Sequence, residues 1–426
     1  MSFFKLFFLL LFTYTSNFLK AEEEIKIGVS TFLSGGAASS FGIPLKQSLE
    51  FMFNAINKGD IPPPYDTPGI GGKKISYFFI DESGGATKQV SEFRNMVQRQ
   101  KVDVVMGYVS SGDCLAIPSV AEELKKLTVL IDCGTPRVFE ESSYKYVFRT
   151  GPHAAMDNIA GALYLKRKGI TPKKVAAINQ NYAWGQDSWA DFKGSIDIMF
   201  PGTKVVSEQF PKIFSGQYGS EISAIMVSKP DLIHSSMWGG DLESFIIQAN
   251  TRGLFRRSVV FLSAADHVMP TLGKNMPEGV ITGARGPHGD LSPNTPLATW
   301  FKKSLKKELN IKMTTQPMHK AAMAALFVKK AFDDALIKNG SFPSTEDVIK
   351  VMEWMKWDTP SGKVEMALGK GHQAIQDQAL GVTKWDNTEK RVKLVDIEYF
   401  KARCVNPPEG IKSLEWIKSG FKGADC

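Results

Sequence analysis

The chain has 426 residues, 43% of them hydrophobic and 23% charged, with a formal net charge of +8. That balance is globular, and the length suits two or three domains; it excludes a fibrous or wholly disordered chain. Lysine and arginine are scattered along helical stretches, with no basic block interleaved with aromatics, which argues against nucleic-acid binding.

The first 21 residues read as a secretory leader. Lys5 precedes the apolar run Phe7 to Phe12, and a polar stretch ends at Lys20-Ala21 before Glu22-Glu23-Glu24. The apolar centre is too short to span a bilayer, which needs about 20 residues. An uncleaved anchor is the competing reading. The mature protein is expected to be exported and free in solution.

Strands then alternate with helices. IKIGVS (25–30) reads as a strand, SFGIPLKQSLEFMFNAIN (40–57) as an amphipathic helix, KKISYFFID (73–81) as a second strand and TKQVSEFRNMVQRQ as its helix. VDVVMG, a helix AIPSVAEELKK and TVLID follow. The rhythm predicts a parallel sheet with helices on both faces. It restarts after YVFRT (146–150), with strands at KKVAAIN, KVVSEQF, DLIHSS and SVVFLSA. Long helices at 295–310 and 318–340 precede a last set of short strands, SGKVEMALG to VKLVDIEYF. Two such sheets facing each other define a cleft, because ligands of open parallel sheets bind beyond the C-terminal strand ends.

One strand end stands out. VDVVMG runs into Ser110-Ser111-Gly112-Asp113 and then a helix. Free amide N–H groups and the positive end of a helix suit an anion, and a carboxylate is the expected guest. The plain alternative is a βα turn with serine as N-cap. The cysteines are Cys114, Cys133, Cys404 and Cys426; four allow three pairings. If VDVVMG and TVLID are adjacent, Cys114 and Cys133 meet at one sheet edge, and Cys404 and Cys426 close a C-terminal loop. The six histidines are dispersed without ligand spacing, so no metal is expected, and no phosphate loop, dinucleotide fingerprint or nucleophile elbow is present. No catalytic set and no cofactor follow from these residues.

The order of these segments carries a resemblance. IKIGVSTFLSGGAASSFGIPLKQSLEFMFNAIN, VVMGYVSSGDCLAIPSVAEELKKLTVLIDCGTP, YVFRTGP, KKVAAINQNYAWGQ and DTPSGKVEMALGKGHQA together resemble the periplasmic branched-chain amino-acid-binding proteins of ABC transporters, from Ile25 to about Thr383. The resemblance implies the type I periplasmic binding fold, α/β with two doubly wound parallel-sheet lobes on a three-segment hinge. It divides the chain into a leader (1–21), lobe 1 (22–148), lobe 2 (149–282), lobe 1 again (283–360), lobe 2 again (361–400) and a C-terminal extension (401–426). It also implies a non-enzymatic, monomeric periplasmic protein that passes an amino acid or related small carboxylate to a membrane permease of the ABC class. A ligand-sensing subunit on the same fold is the alternative.

The same resemblance assigns residues. Ser110, Ser111 and Gly112 would hold the ligand carboxylate; Gly134 and Thr135 form the second loop of lobe 1. Tyr182, Trp184 and Trp238 would close from lobe 2, and Asp266 would meet the ligand's ammonium. The competing readings are lobe-interface packing for Trp184 and a helix cap for Asp266. Asp113 and Asp132 stand near the carboxylate loop and would repel an anion if they faced the cleft. Arg285 and His288 are expected near a hinge crossing, in a structural role.

Overall fold

The computed structural model describes residues 24–426, so the leader expected at 1–21 lies outside the described residues. In chain order the strands are β1 (Glu24–Thr31), β2 (Lys74–Asp81), β3 (Val104–Gly107), β4 (Thr128–Leu130), β5 (Val147–Arg149), β6 (Lys174–Ile178), β7 (Lys204–Gln209), β8 (Leu232–Ser235), β9 (Val259–Leu262), β10 (Ile281–Gly283), β11 (Lys356–Thr359), β12 (Gly362–Leu368), β13 (Gln373–Gln376), β14 (Gln378–Asp386) and β15 (Arg391–Phe400). They form two sheets, ordered β11-β12-β13-β5-β4-β3-β1-β2 and β15-β14-β10-β9-β8-β6-β7.

In each sheet the strands taken first by the chain are parallel. β3, β4, β5 and β8 are buried at every position, as expected where helices cover both faces of a parallel sheet. In lobe 1, helices Ile43–Lys58 and Gln316–Asn339 supply one core layer, and Ala86–Gln98 with Ser111–Glu123 the other. In lobe 2, helices Ala154–Arg167 and Ala183–Met199 cover one face, and Gly219–Ser228 with Gly239–Thr251 the other.

The chain passes from the first sheet to the second after Arg149 and returns after Gly283, close to where the sequence places these crossings. The third crossing differs. It falls between Gln376 and Gln378, not near 360. The segment 361–376 therefore extends lobe 1: β12 pairs with β11 and β13, and Gln373 of β13 sits in parallel register with Arg149 of β5. Trp357, Val364, Met366 and Ala374 give this hairpin an apolar face that only the lobe 1 core accommodates. Alternation marks such residues as strands but does not say which sheet they join.

Cys114 pairs with Cys133, and Cys404 with Cys426. The C-terminal extension packs on lobe 2 through helix Ser413–Lys418, whose Trp416 and Ile417 enter the core layer beside helix Ala183–Met199. It also reaches lobe 1, where Ser413 N–H and Oγ–H both donate to Glu140, and Lys370 N–H donates to Glu409. Trp416 is 1% exposed. Trp416→Ala should cost about 3–5 kcal/mol, as large-to-small core changes do; chemical denaturation measures it. A loss below about 1 kcal/mol would show that the extension is not integral to lobe 2.

Candidate ligand-binding site

The C-terminal tips of the two sheets face each other, and the loops that follow β3, β4, β6, β8 and β9 meet there. Ser111 opens helix Ser111–Glu123, and its Oγ accepts N–H bonds from Gly134 (3.2 Å) and Thr135 (3.1 Å). With both lone pairs used, the hydroxyl proton remains to be donated. The Cys114–Cys133 disulfide ties the first turn of this helix to the Gly134 loop and so fixes both halves of the arrangement.

The first amides of the serine loop are already filled. Glu82 Oε1 accepts the N–H groups of Val109 and Ser110, both at 2.7 Å. An internal carboxyl thus occupies part of the anion site expected for a ligand. Glu82 lies against Asp113; burial pushes Glu82 well above the ordinary carboxylate range and Asp113 up to about 6. Two close buried carboxyls of this kind hold a proton between them. Asp113 therefore does not present a bare charge to the cleft.

Lobe 2 contributes the aromatics. Tyr182 precedes helix Ala183–Met199, Trp184 lies in its first turn, and Trp238 precedes helix Gly239–Thr251. Trp238 Nε1 donates to the Tyr182 hydroxyl (2.7 Å), and Trp184 Nε1 to the carbonyl of Ser236 (2.7 Å). These bonds leave the rings' faces for packing. Phe41 of lobe 1 meets Trp238 edge-on at 5.5 Å and His267 at 5.3 Å. Trp184 and Trp238 belong to the core layer of lobe 1 although lobe 2 carries them, so the cleft is shut.

Beneath the aromatics runs a buried charge network. Arg285 Nε donates to Asp157 (2.9 Å), Nη1 to both the carboxylate and the carbonyl of Asp132 (2.8 Å each), and Nη2 to the carbonyl of Pro152 (2.6 Å). Its guanidinium lies 4.5 Å from the Trp184 ring centre. Gln316 Nε2 donates to the other oxygen of Asp132 (2.8 Å). Asp132, which threatened to repel an anion, is neutralised.

Asp266 holds the lobes from another side: its Oδ2 accepts the backbone N–H of Gln316 (2.7 Å), on lobe 1's long helix. Burial pushes Asp266 up to about 8, whereas burial lowers Lys320 to about 7. The closed cleft therefore favours a neutral Asp266 carboxyl. Its stabilising contribution is complete below the ordinary carboxylate range and declines as pH rises towards about 8. Lys320 acts in the opposite sense, since closure favours its neutral form. The ratio of wild-type to Asp266→Asn ligand affinity should therefore fall between about pH 4 and pH 8, as titration calorimetry at several pH values would show.

The chamber left between the lobes is small, about 20 Å³, room for a water or two. Of the residues expected at the site, Ser111, Gly134, Tyr182, Trp184 and Trp238 line it. Ser110, Gly112, Thr135 and Asp266 stand off its wall. The Ser110 N–H is bonded to Glu82, and the Thr135 hydroxyl donates to Asp187 of lobe 2 (2.6 Å), which makes it a contact between lobes. The sequence reading missed Phe41, Val109, Ala264, Gln316 and His267 as lining residues, and it gave Arg285 a structural role. The positions of Val109 just past β3 and of Ala264 just past β9 were the available signal for those two.

Residues 24–390 match the sequence model of the family described as periplasmic binding protein. The chain belongs to this family. Among periplasmic binding proteins it is similar to the Leu/Ile/Val-binding protein homolog 4 of Brucella melitensis biotype 1, 23% identical over 367 residues, with 83% of this chain and 82% of that one aligned. Its fold is similar to a solute-binding protein of an ABC transporter from Rhodopseudomonas palustris BisB5 in complex with 3,4-dihydroxybenzoic acid (TM-score 0.76, 20% identity, 89% of this chain, 98% of that one). It is also similar to the closed conformation of a leucine-, isoleucine-, valine-, threonine- and alanine-binding protein from Brucella ovis (TM-score 0.71, 21% identity, 91% of this chain, 98% of that one). These likenesses support the two-lobe α/β fold read from the sequence.

Proposed function

We propose that the chain is the solute-binding component of an ABC importer, and that it captures a small carboxylate with an aromatic or apolar body by closing its lobes. The observation that carries this is the shut chamber at the facing strand ends. Phe41, Tyr182, Trp184 and Trp238 wall it, and the Ser111 hydroxyl offers a donor. A ligand has to enter an open form, and closure then adds the lobe 2 aromatics. Only the ligand's extra contacts with the closed form shift that balance.

Asp132 is the one carboxylate on the chamber wall among the described residues, and it is already paired with Arg285 and Gln316. A ligand ammonium therefore finds no free partner on the wall, which favours a plain carboxylate over a zwitterion. The neighbours point to both kinds of ligand: one is in complex with 3,4-dihydroxybenzoic acid, and the other is named as binding leucine, isoleucine, valine, threonine and alanine. The amino-acid reading has one observation of its own: Asp266 Oδ1 is buried without a partner. An exported, periplasmic setting agrees with the leader expected at 1–21 and with two disulfides. A membrane permease that reads the closed form is the partner this role requires.

Thermal unfolding in the presence of benzoate, 4-hydroxybenzoate, leucine, valine and alanine tests the reading. A ligand at a hundred times its Kd adds about 2.7 kcal/mol. Stabilisation by the benzoates, without chemical change in the added compound, is the expected result. Ser111→Ala should weaken that binding about tenfold. Stabilisation by leucine alone would overturn the preference for a plain carboxylate; turnover of the compound would overturn the binding role.

A further inference from the structure

A second cavity of about 190 Å³ lies behind the Gly134 loop, between the hinge strands and the C-terminal extension. It has room for several waters or one small organic ion. Its inner wall is Arg149, the last residue of β5, fully buried. Arg149 Nε donates to the Gln373 side chain, and Nη1 to the carbonyls of Cys133 (3.0 Å) and Thr135 (2.6 Å). All three acceptors are neutral, and among the described residues no carboxylate lies within ion-pair distance of this guanidinium. Nη2 has no partner. Beside it, His153 is buried with both ring nitrogens unpartnered.

Burial and the nearby Arg285 charge lower Arg149 to about 9, with Glu140 and Asp132 opposing only through space, and a buried donor left unbonded adds to the cost. Glu140 on the same wall offsets Arg149 through space but does not bond to its free Nη2; Glu140 accepts from Ser413, and Glu409 from the Lys370 N–H. Lys370 and Lys412 line the outer side and add positive charge.

We infer that this cavity is a second binding site, distinct from the interlobe chamber, for a small oxyanion of the carboxylate class. One oxygen of the anion takes the Nη2 hydrogens of Arg149, and His153 donates from the ring nitrogen that carries its proton. Burial and the nearby arginines lower His153 to about 3, so it acts as a neutral donor. The C-terminal extension supplies the outer wall through 407–412. The site bears on the cleft, because the same guanidinium grips the carbonyls on either side of Gly134.

Acetate is the probe, applied to the full chain carrying Ser111→Ala so that binding in the interlobe chamber is weakened. The expected result is one acetate in crystals, hydrogen-bonded to Arg149 Nη2, with calorimetric affinity about tenfold or more weaker in Arg149→Gln and restored in part by Arg149→Lys. Lys412→Glu, at an exposed position, should weaken acetate about threefold through charge alone, and it keeps the test available if the Arg149 variants do not fold. Water alone in the cavity at saturating acetate would overturn the proposal. So would acetate affinity unchanged by both Arg149→Gln and Lys412→Glu.

Discussion

Replacing Arg285 with methionine should lower stability by about 3–5 kcal/mol, the loss typical of removing one partner from a buried ion network. Arg285 is 4% exposed, and it joins Asp132 of lobe 1 to Asp157 of lobe 2 from its place on the second crossing. Burial already raises both carboxyls, and Arg285 is the leading opposing influence on each. Without it, two carboxyls are left in a dry interior and must take up protons or draw in water. Only the amide donors of Gln316 and Gln378 remain to them. The stacking of the guanidinium on Trp184 is lost as well. Urea denaturation would measure the loss, and the triple variant with Asp132→Asn and Asp157→Asn should recover much of it. Failure of those amides to restore stability would mean that Arg285 acts through packing rather than charge.

Gly134→Ala should block closure while leaving lobe 1 folded. The backbone at Gly134 does not need a positive φ, so alanine is not strained there. Its Cβ, however, would collide with the Trp184 ring and crowd Arg285 Nη2 (2.8 Å). Trp184 comes from lobe 2, so the clash exists only when the lobes are together. Ligand affinity is expected to fall at least about tenfold, with little change in denaturation of the unliganded protein. Gly134→Ala combined with Trp184→Ala removes the collision and should bind better than the sum of the two single losses predicts, the mark of two side chains in contact. Additive losses would show that the ring does not sit over Gly134 when ligand is held.

Much of the fold was legible because it rests on local periodicity. The VDVVMG and TVLID segments become the adjacent parallel strands β3 and β4, and their ends bring Cys114 to Cys133. The aromatics after β6 and β8 reach the chamber because strand ends of a parallel sheet point their loops the same way. What escaped the sequence reading depends on pairings across long separations. Arg285 meets Asp132 and Asp157, and Glu82 meets the amides of Val109 and Ser110; neither spacing follows a helical or strand period. The β11–β13 segment carried clear alternation, but its sheet was decided by where Trp357 and Met366 could be buried. Thr135 was assigned to the site through the resemblance of its loop to the family's second ligand loop; its hydroxyl partner Asp187 lies on the other lobe.

Small-angle X-ray scattering on ligand-stripped protein, before and after addition of the compound that stabilises it most, tests the central claim most directly. The lobes should start apart and contract on addition to the scattering profile calculated from the shut structure. A profile that does not change when the compound binds would contradict capture by lobe closure.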